Sequence, residues 1–125
     1  MPRQLKLYAT GSATANAAAQ ITIPAAASIV GVQAAVRINS ITDGAQLNLE
    51  ISRSASREIA VNSAQQCVCE VVVESNFVTS GLAQFGINQF FPVHVPMVQG
   101  QFLYLHALVA GTVVYDATFI IHLTK

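Results

Sequence analysis

Apolar and polar residues alternate with a period of two in eight short runs, each bounded by Gly, Pro, Asn, Asp or Ser. Period two sends successive side chains to opposite faces of an extended strand, so the pattern specifies strands and leaves little room for an amphipathic helix. Val, Ile and Thr, whose branched Cβ suits a pleated sheet, supply 33 of the 125 residues. The expected strands are Gln4 to Thr10, Ala19 to Ile23, Ile29 to Ile41, Ala45 to Ser52, Gln66 to Glu74, Val93 to Val98, Gln101 to Ala110 and Thr112 to Leu123. The fold class is all-β, a single antiparallel β-sandwich or jelly-roll-like barrel of about eight strands. One domain covers residues 1–125, with residues 1–18 open to being a loose N-terminal arm. The low-complexity run Gly11 to Ala19 reads as a loop or loose edge segment, and Ala55 to Ala64 as one helical turn or a short edge strand.

Two turns set the expected pairing. Asp43-Gly44 between alternating runs predicts a two-residue hairpin, which sets Ile38 against Leu49, Val36 against Ile51 and Arg37 against Glu50. Ala110-Gly111 predicts a second hairpin with His106 against Tyr115, Tyr104 against Ala117 and Phe102 against Phe119. One face of that hairpin is aromatic and is assigned to the core. The other carries Leu103 and Leu105 beside Asp116, Thr118, Ile120 and His122, too apolar to face water and too polar for an interior. Leu103, Leu105 and Ile120 are therefore candidates for a subunit contact. The uncharged segment Phe77 to Pro92 holds four of the six phenylalanines. It reads as a long loop tucked over the core or as an anchor inserted into a partner, which adds Phe85, Phe90 and Phe91 to the candidates.

Composition narrows the role. Charged residues are 10% of the chain and AVILMFWYC residues 53%, against about a quarter charged in an ordinary soluble domain, so association with copies of itself is expected. Six Lys and Arg balance six Asp and Glu, a balance that disfavours nucleic acid as a partner and excludes a polybasic membrane anchor. Phe102 to Leu123 has the hydropathy of a membrane span but reads as two strands, because Gly111 divides it and Asp116, His106 and His122 are costly in lipid. No signal peptide is expected from the first residues. Cys67 and Cys69, at i and i+2 on one strand, read as buried reduced thiols.

Chemistry is thinly represented. No phosphate loop, nucleophile elbow or paired metal ligands occur in the sequence, so no enzyme, cofactor or metal is expected. His106, placed beside Tyr115 by the expected hairpin, reads as a hydrogen-bonded core histidine. Asp116 and His122, six apart on one strand, stand about 20 Å from each other and cannot form part of a triad.

Ile21-Thr22-Ile23-Pro24 leading to Ile29-Val30-Gly31-Val32, the turn at Asp43-Gly44, then Pro92-Val93-His94-Val95-Pro96 and Gly100-Gln101-Phe102-Leu103-Tyr104-Leu105 before a closing strand form an ordered series. The series resembles the small β-sandwich virion proteins of tailed bacteriophages over Ala19 to Leu123. The resemblance implies a capsid decoration or cement protein or a tail or fibre part, assembled in the host cytoplasm as a trimer or larger ring on a larger capsid or tail protein. A carbohydrate- or receptor-binding module of a phage tail or fibre is the second reading.

Overall fold

A computed structural model describes residues 3–56, 67–75 and 85–124. Eight strands form: β1 (Arg3–Gly11), β2 (Ala15–Thr22), β3 (Ala27–Ile41), β4 (Gln46–Ser52), β5 (Cys67–Glu74), β6 (Phe85–Met97), β7 (Phe102–Ala110) and β8 (Val113–Leu123). Each expected strand is present, and the two antiparallel sheets pack as a β-sandwich. The first sheet has the order β1-β8-β3-β6 and the second β2-β7-β4-β5. Pairing is nested: β4 with β5, β3 with β6, β2 with β7 and β1 with β8. The chain is one long hairpin wrapped on itself, and the wrap adds the β3–β8 and β4–β7 ladders.

Neither expected hairpin pairs its own two strands. The Ala45 amide donates to the Thr42 carbonyl (3.1 Å), so the turn at Asp43-Gly44 does form. Gly44 alone takes a positive φ, +77°. Type I′ needs positive φ at both central residues and matches the strand twist, whereas a turn with positive φ at its third residue only is of type II and splays the strands. β3 and β4 consequently enter different sheets. Arg37 faces Asp116 and Gly86 instead of Glu50, and Glu50 faces Glu70 and His106. At Gly111 (φ +78°) the chain likewise steps from the second sheet to the first.

This correction reverses one strand of the expected aromatic core. Across a corner the strands face each other through the core, so the side-chain parity of a flat hairpin no longer applies. Tyr115, Ala117, Phe119 and Ile121 point inward from β8, as expected, and meet Leu103, Leu105 and Ala107 from β7, not Tyr104 and His106. Val32, Ala34, Val36 and Ile38 of β3 and Leu47, Leu49 and Ile51 of β4 complete the interior. Cys69 joins them beside Val71 and Val73, Cys67 is only half-buried instead of buried as expected, and the two form no disulfide. Burial, aided by neighbouring Cys67, pushes the Cys69 thiol up to about 12.

Two stretches read as loops are strands in part. β2 begins at Ala15 as an edge strand paired with β7, with an irregularity between Ala15 and Ala19 and a positive φ (52°) at Ala17. Phe85 to Pro92 is the first half of β6, while the preceding residues of that phenylalanine-rich segment, like those from 57 onward in Ala55 to Ala64, lie outside the described residues. β1 pairs with β8 from Arg3 to Gly11. A polar tie crosses the outer surface of the first sheet: Thr10 Oγ1 donates to Asp116 Oδ1 (2.7 Å) and Asn39 Nδ2 to Asp116 Oδ2 (2.8 Å). These two bonds, with the Arg37 guanidinium opposite, hold the Asp116 carboxyl below the ordinary carboxylate range.

Two outcomes are expected. Leu105→Ala lowers stability to urea by about 2–5 kcal/mol, the usual cost of emptying a buried leucine site, and Leu105→Glu abolishes the cooperative unfolding transition. A Leu105→Glu chain that stays folded and only dissociates would restore the interface assignment. Because the Asp116 value is depressed on folding, its stabilisation is present above the ordinary carboxylate value and is lost as pH falls through the depressed one. The gap in melting temperature between the native chain and Asp116→Asn therefore narrows on acidification from neutrality; a gap independent of pH overturns this account.

Candidate functional site

The six residues expected at a subunit contact divide between interior and surface. Leu103 and Leu105 are fully buried between the sheets, because β7 faces β8 instead of lying beside it; their assignment to a contact is corrected to the core. Phe91 points inward from β6 and packs half-buried against the core. Ile120 is half-buried on the outer face of the first sheet. Phe90 is 50% exposed on that face, and Phe85 is 39% exposed at the start of β6.

The register brings Ile120 and Phe90 into one row. Gln33 of β3 pairs with Ile120 on one side and Phe90 on the other, and its amide donates to Asn88 Oδ1. In the adjacent row His122 and Pro92 flank Gly31. The Phe90 ring lies down over Gly31, where a Cβ would stand 2.3 Å from the ring's Cζ. This glycine is needed for room, not for an unusual φ. The His122 ring lies 6.0 Å from that of Phe90, tilted by 60°. A large aromatic side chain is thus seated on the surface, and the rotamer entropy that association ordinarily costs is already partly lost. Gly31 stands in mid-strand, a known mark of close approach by another group, and that signal was present in the sequence.

β6 is also an edge. Among the described residues it pairs with β3 alone. Edge strands are shielded from further pairing by proline or charge, and Pro92 and Pro96 shield the second half of this one. Phe85 to Phe91 contains neither.

The titratable groups singled out in the sequence, His106, Asp116 and His122, are occupied structurally. His106 is fully buried on the outer side of the second sheet, away from Tyr115. The Ala17 amide donates to its Nδ1 (2.6 Å), so the ring is protonated at Nε2, which donates to the Ser54 carbonyl (2.7 Å). Neither nitrogen is available as a base or ligand without loss of a bond. The Tyr104 ring stacks on it at 5.8 Å. Asp116 and His122 are engaged separately, His122 Nδ1 standing 3.5 Å from Gln4 Nε2. Among the described residues no three His, Cys, Asp or Glu side chains gather as a metal site.

No family model matches this sequence, and no curated protein matches it. Among solved structures, a mutant VP2 protein of infectious bursal disease virus in derived T=1 particles matches 97% of the chain at a TM-score of 0.50 and 13% identity. The VP2 subviral particle of the same virus matches 97% at 0.50 and 14% identity. The chain spans about a third of those proteins, 31% and 32% of their length. At such identity the likeness shows a shared fold alone: the β-sandwich of this chain is similar to one portion of VP2.

Proposed function

We propose that this chain is a non-enzymatic structural subunit of a virus particle, associating with copies of itself through the Phe90 side of the outer face and the open β6 edge of the first sheet. The observation that carries the reading is that nearly the whole chain, and not a fragment of it, corresponds to one portion of a particle-forming VP2. The nested strand order is that of the eight-stranded jelly roll, an architecture shared by viral capsid domains, lectins and cupins, so fold by itself does not select among them. Two features favour the particle. The three histidines, His94, His106 and His122, all point out of the sandwich and leave no imidazole inside it for a cupin-like metal. The surface residues with the geometry of interface anchors, Phe90 over Gly31 with Ile120 in the same row, lie next to the unshielded half of β6.

Finer placement rests on the sequence resemblance: a decoration, cement or accessory protein of a tailed-phage virion, trimeric, docked on a larger capsid or tail protein. Phe85 is assigned to the same contact, at the end of the open edge.

Light scattering at micromolar concentration tests the association. The native chain gives a multiple of the monomer mass, and Phe90→Glu weakens association at least about a hundredfold, as loss of a central aromatic anchor does, with an unchanged circular dichroism spectrum. Gly31→Ala, which displaces the ring, acts in the same direction. A native chain that is monomeric at this concentration, or a Phe90→Glu chain that assembles normally, overturns the proposal.

A further inference from the structure

Between Glu74 and Lys125 the chain carries one formally charged side chain, Asp116, on a strand otherwise made of apolar residues, threonine and histidine. It borders a cleft of about 410 Å³ on the β1 side of the first sheet, away from Phe90 and β6. That volume falls within the range of about 300–1,000 Å³ typical of small-ligand clefts. Ala9, Ala18 and Ala117 supply its apolar lining, and Tyr8, Asp116 and Thr118 its larger side chains. Ala18 lies where the β2 ladder is broken between Ala15 and Ala19 and Ala17 turns to positive φ, while Ala9 and Ala117 point inward and contribute the floor. The alanine run that contributes little to the core thus shapes a recess.

Tyr8 is 60% exposed and lies opposite Thr118, one step along the same face from the Thr10–Asp116 pair. Thr10 and Asn39 fix the carboxylate, one bond to each oxygen, and leave each oxygen further acceptor capacity. The combination is an exposed aromatic face, small apolar walls and an oriented acceptor. A cation is disfavoured by Arg37, directly opposite Asp116, and an anion by Asp116 itself. A wholly apolar ligand would strip water from the carboxylate without replacing its hydrogen bonds. A neutral sugar ring satisfies both sides, with a C–H face for Tyr8 and adjacent hydroxyls for Asp116.

We infer that the cleft bordered by Tyr8, Asp116 and Ala18 is a binding site for one neutral pyranose unit of a glycan, with Tyr8 stacked on the ring and Asp116 accepting from two neighbouring hydroxyls. The site uses β1, β2 and β8 and does not depend on the self-association proposed above.

Saturation-transfer NMR tests it on the protein in whatever assembly state it adopts, with the methyl glycosides of glucose, galactose, mannose and N-acetylglucosamine as probes at millimolar concentration. At least one glycoside gives saturation transfer concentrated on one C–H face of its ring. That signal falls at least about fivefold in Tyr8→Ala and in Asp116→Ala, as expected when a weak, millimolar complex loses one of its few contacts. It is unchanged in Phe102→Ala, an exposed aromatic on the other sheet. Absence of transfer to all four glycosides, or a signal that survives Tyr8→Ala, overturns the inference.

Discussion

The wrap depends on the contact between the corners at Ala45 and Gly111. A Cβ on Gly111 would stand 2.8 Å from the Cβ of Ala45 and 3.0 Å from its Cα, and Gly111 already sits at φ +78°. Around this contact the Thr42 amide donates to the Thr112 carbonyl (3.1 Å), and the Ser75 hydroxyl donates to Thr42 and accepts from the Ala45 amide (3.2 Å). Three connections, β3 to β4, β7 to β8 and the exit from β5, therefore meet at one end of the sandwich with their backbone groups satisfied by one another. The other end repeats the device: Ile23 donates to Gln101 (2.8 Å) and accepts from Gly100 (2.9 Å), joining the β2–β3 and β6–β7 corners. Corners carry buried backbone that no ladder pairs, so this mutual satisfaction is what allows the hairpin to fold over at both ends.

The strands were legible in the sequence because period two is a local property of each run; their partners were not, because pairing depends on what a turn does to direction. Asp43-Gly44 is composed as a hairpin turn, yet whether Asp43 takes positive φ is decided by the corner it must complete beside Gly111. The same ambiguity governs β7. Both of its faces are apolar, so periodicity could not choose between Leu103, Leu105 and Ala107 or Phe102, Tyr104 and His106 for the interior. The polar atoms held the distinguishing signal. The buried nitrogens of His106 need two partners, and the outer side of the second sheet supplies them from Ala17 and Ser54. The interior, lined mainly by leucine, isoleucine and valine, offers the Tyr115 hydroxyl but not two such partners.

The surface constellation was legible in its components and hidden in its arrangement. Phe85, Phe90 and Ile120 stood out as large apolar residues in a chain short of charge, but Ile120 and Phe90 meet through Gln33, a neighbour of both only when β3 lies between β8 and β6. The loop assigned to Phe77 to Pro92 missed the first half of β6, whose inward series Ile87, Gln89, Phe91, Val93 and Val95 is interrupted by a glutamine and flanked by two prolines, Pro92 and Pro96. They are compatible with an edge, where the missing amide faces away from the sheet.

The two sheets are unequal in what they leave for contact. On the second, the chain covers part of its own outer face: His106, Glu50 and Ser52 point outward yet are almost wholly buried, while Phe102 and Val72 stay exposed. On the first, the rows from Tyr8 to Asn88 and from Lys6 to Phe90 stand open, and the β6 edge beyond them lacks charge over its whole length. Burying the uncharged β6 side of that face incurs little ionic desolvation, whereas the same burial on the second sheet would have to accommodate Glu70 and Glu74. The shortage of charge is thus concentrated where removing water costs least. The charges that the described residues place on that face, Lys6, Arg37 and Asp116, lie on β1, β3 and β8 and not on β6, and Asp116 is tied to its neighbours at the end where the alanine-lined cleft keeps it in contact with solvent.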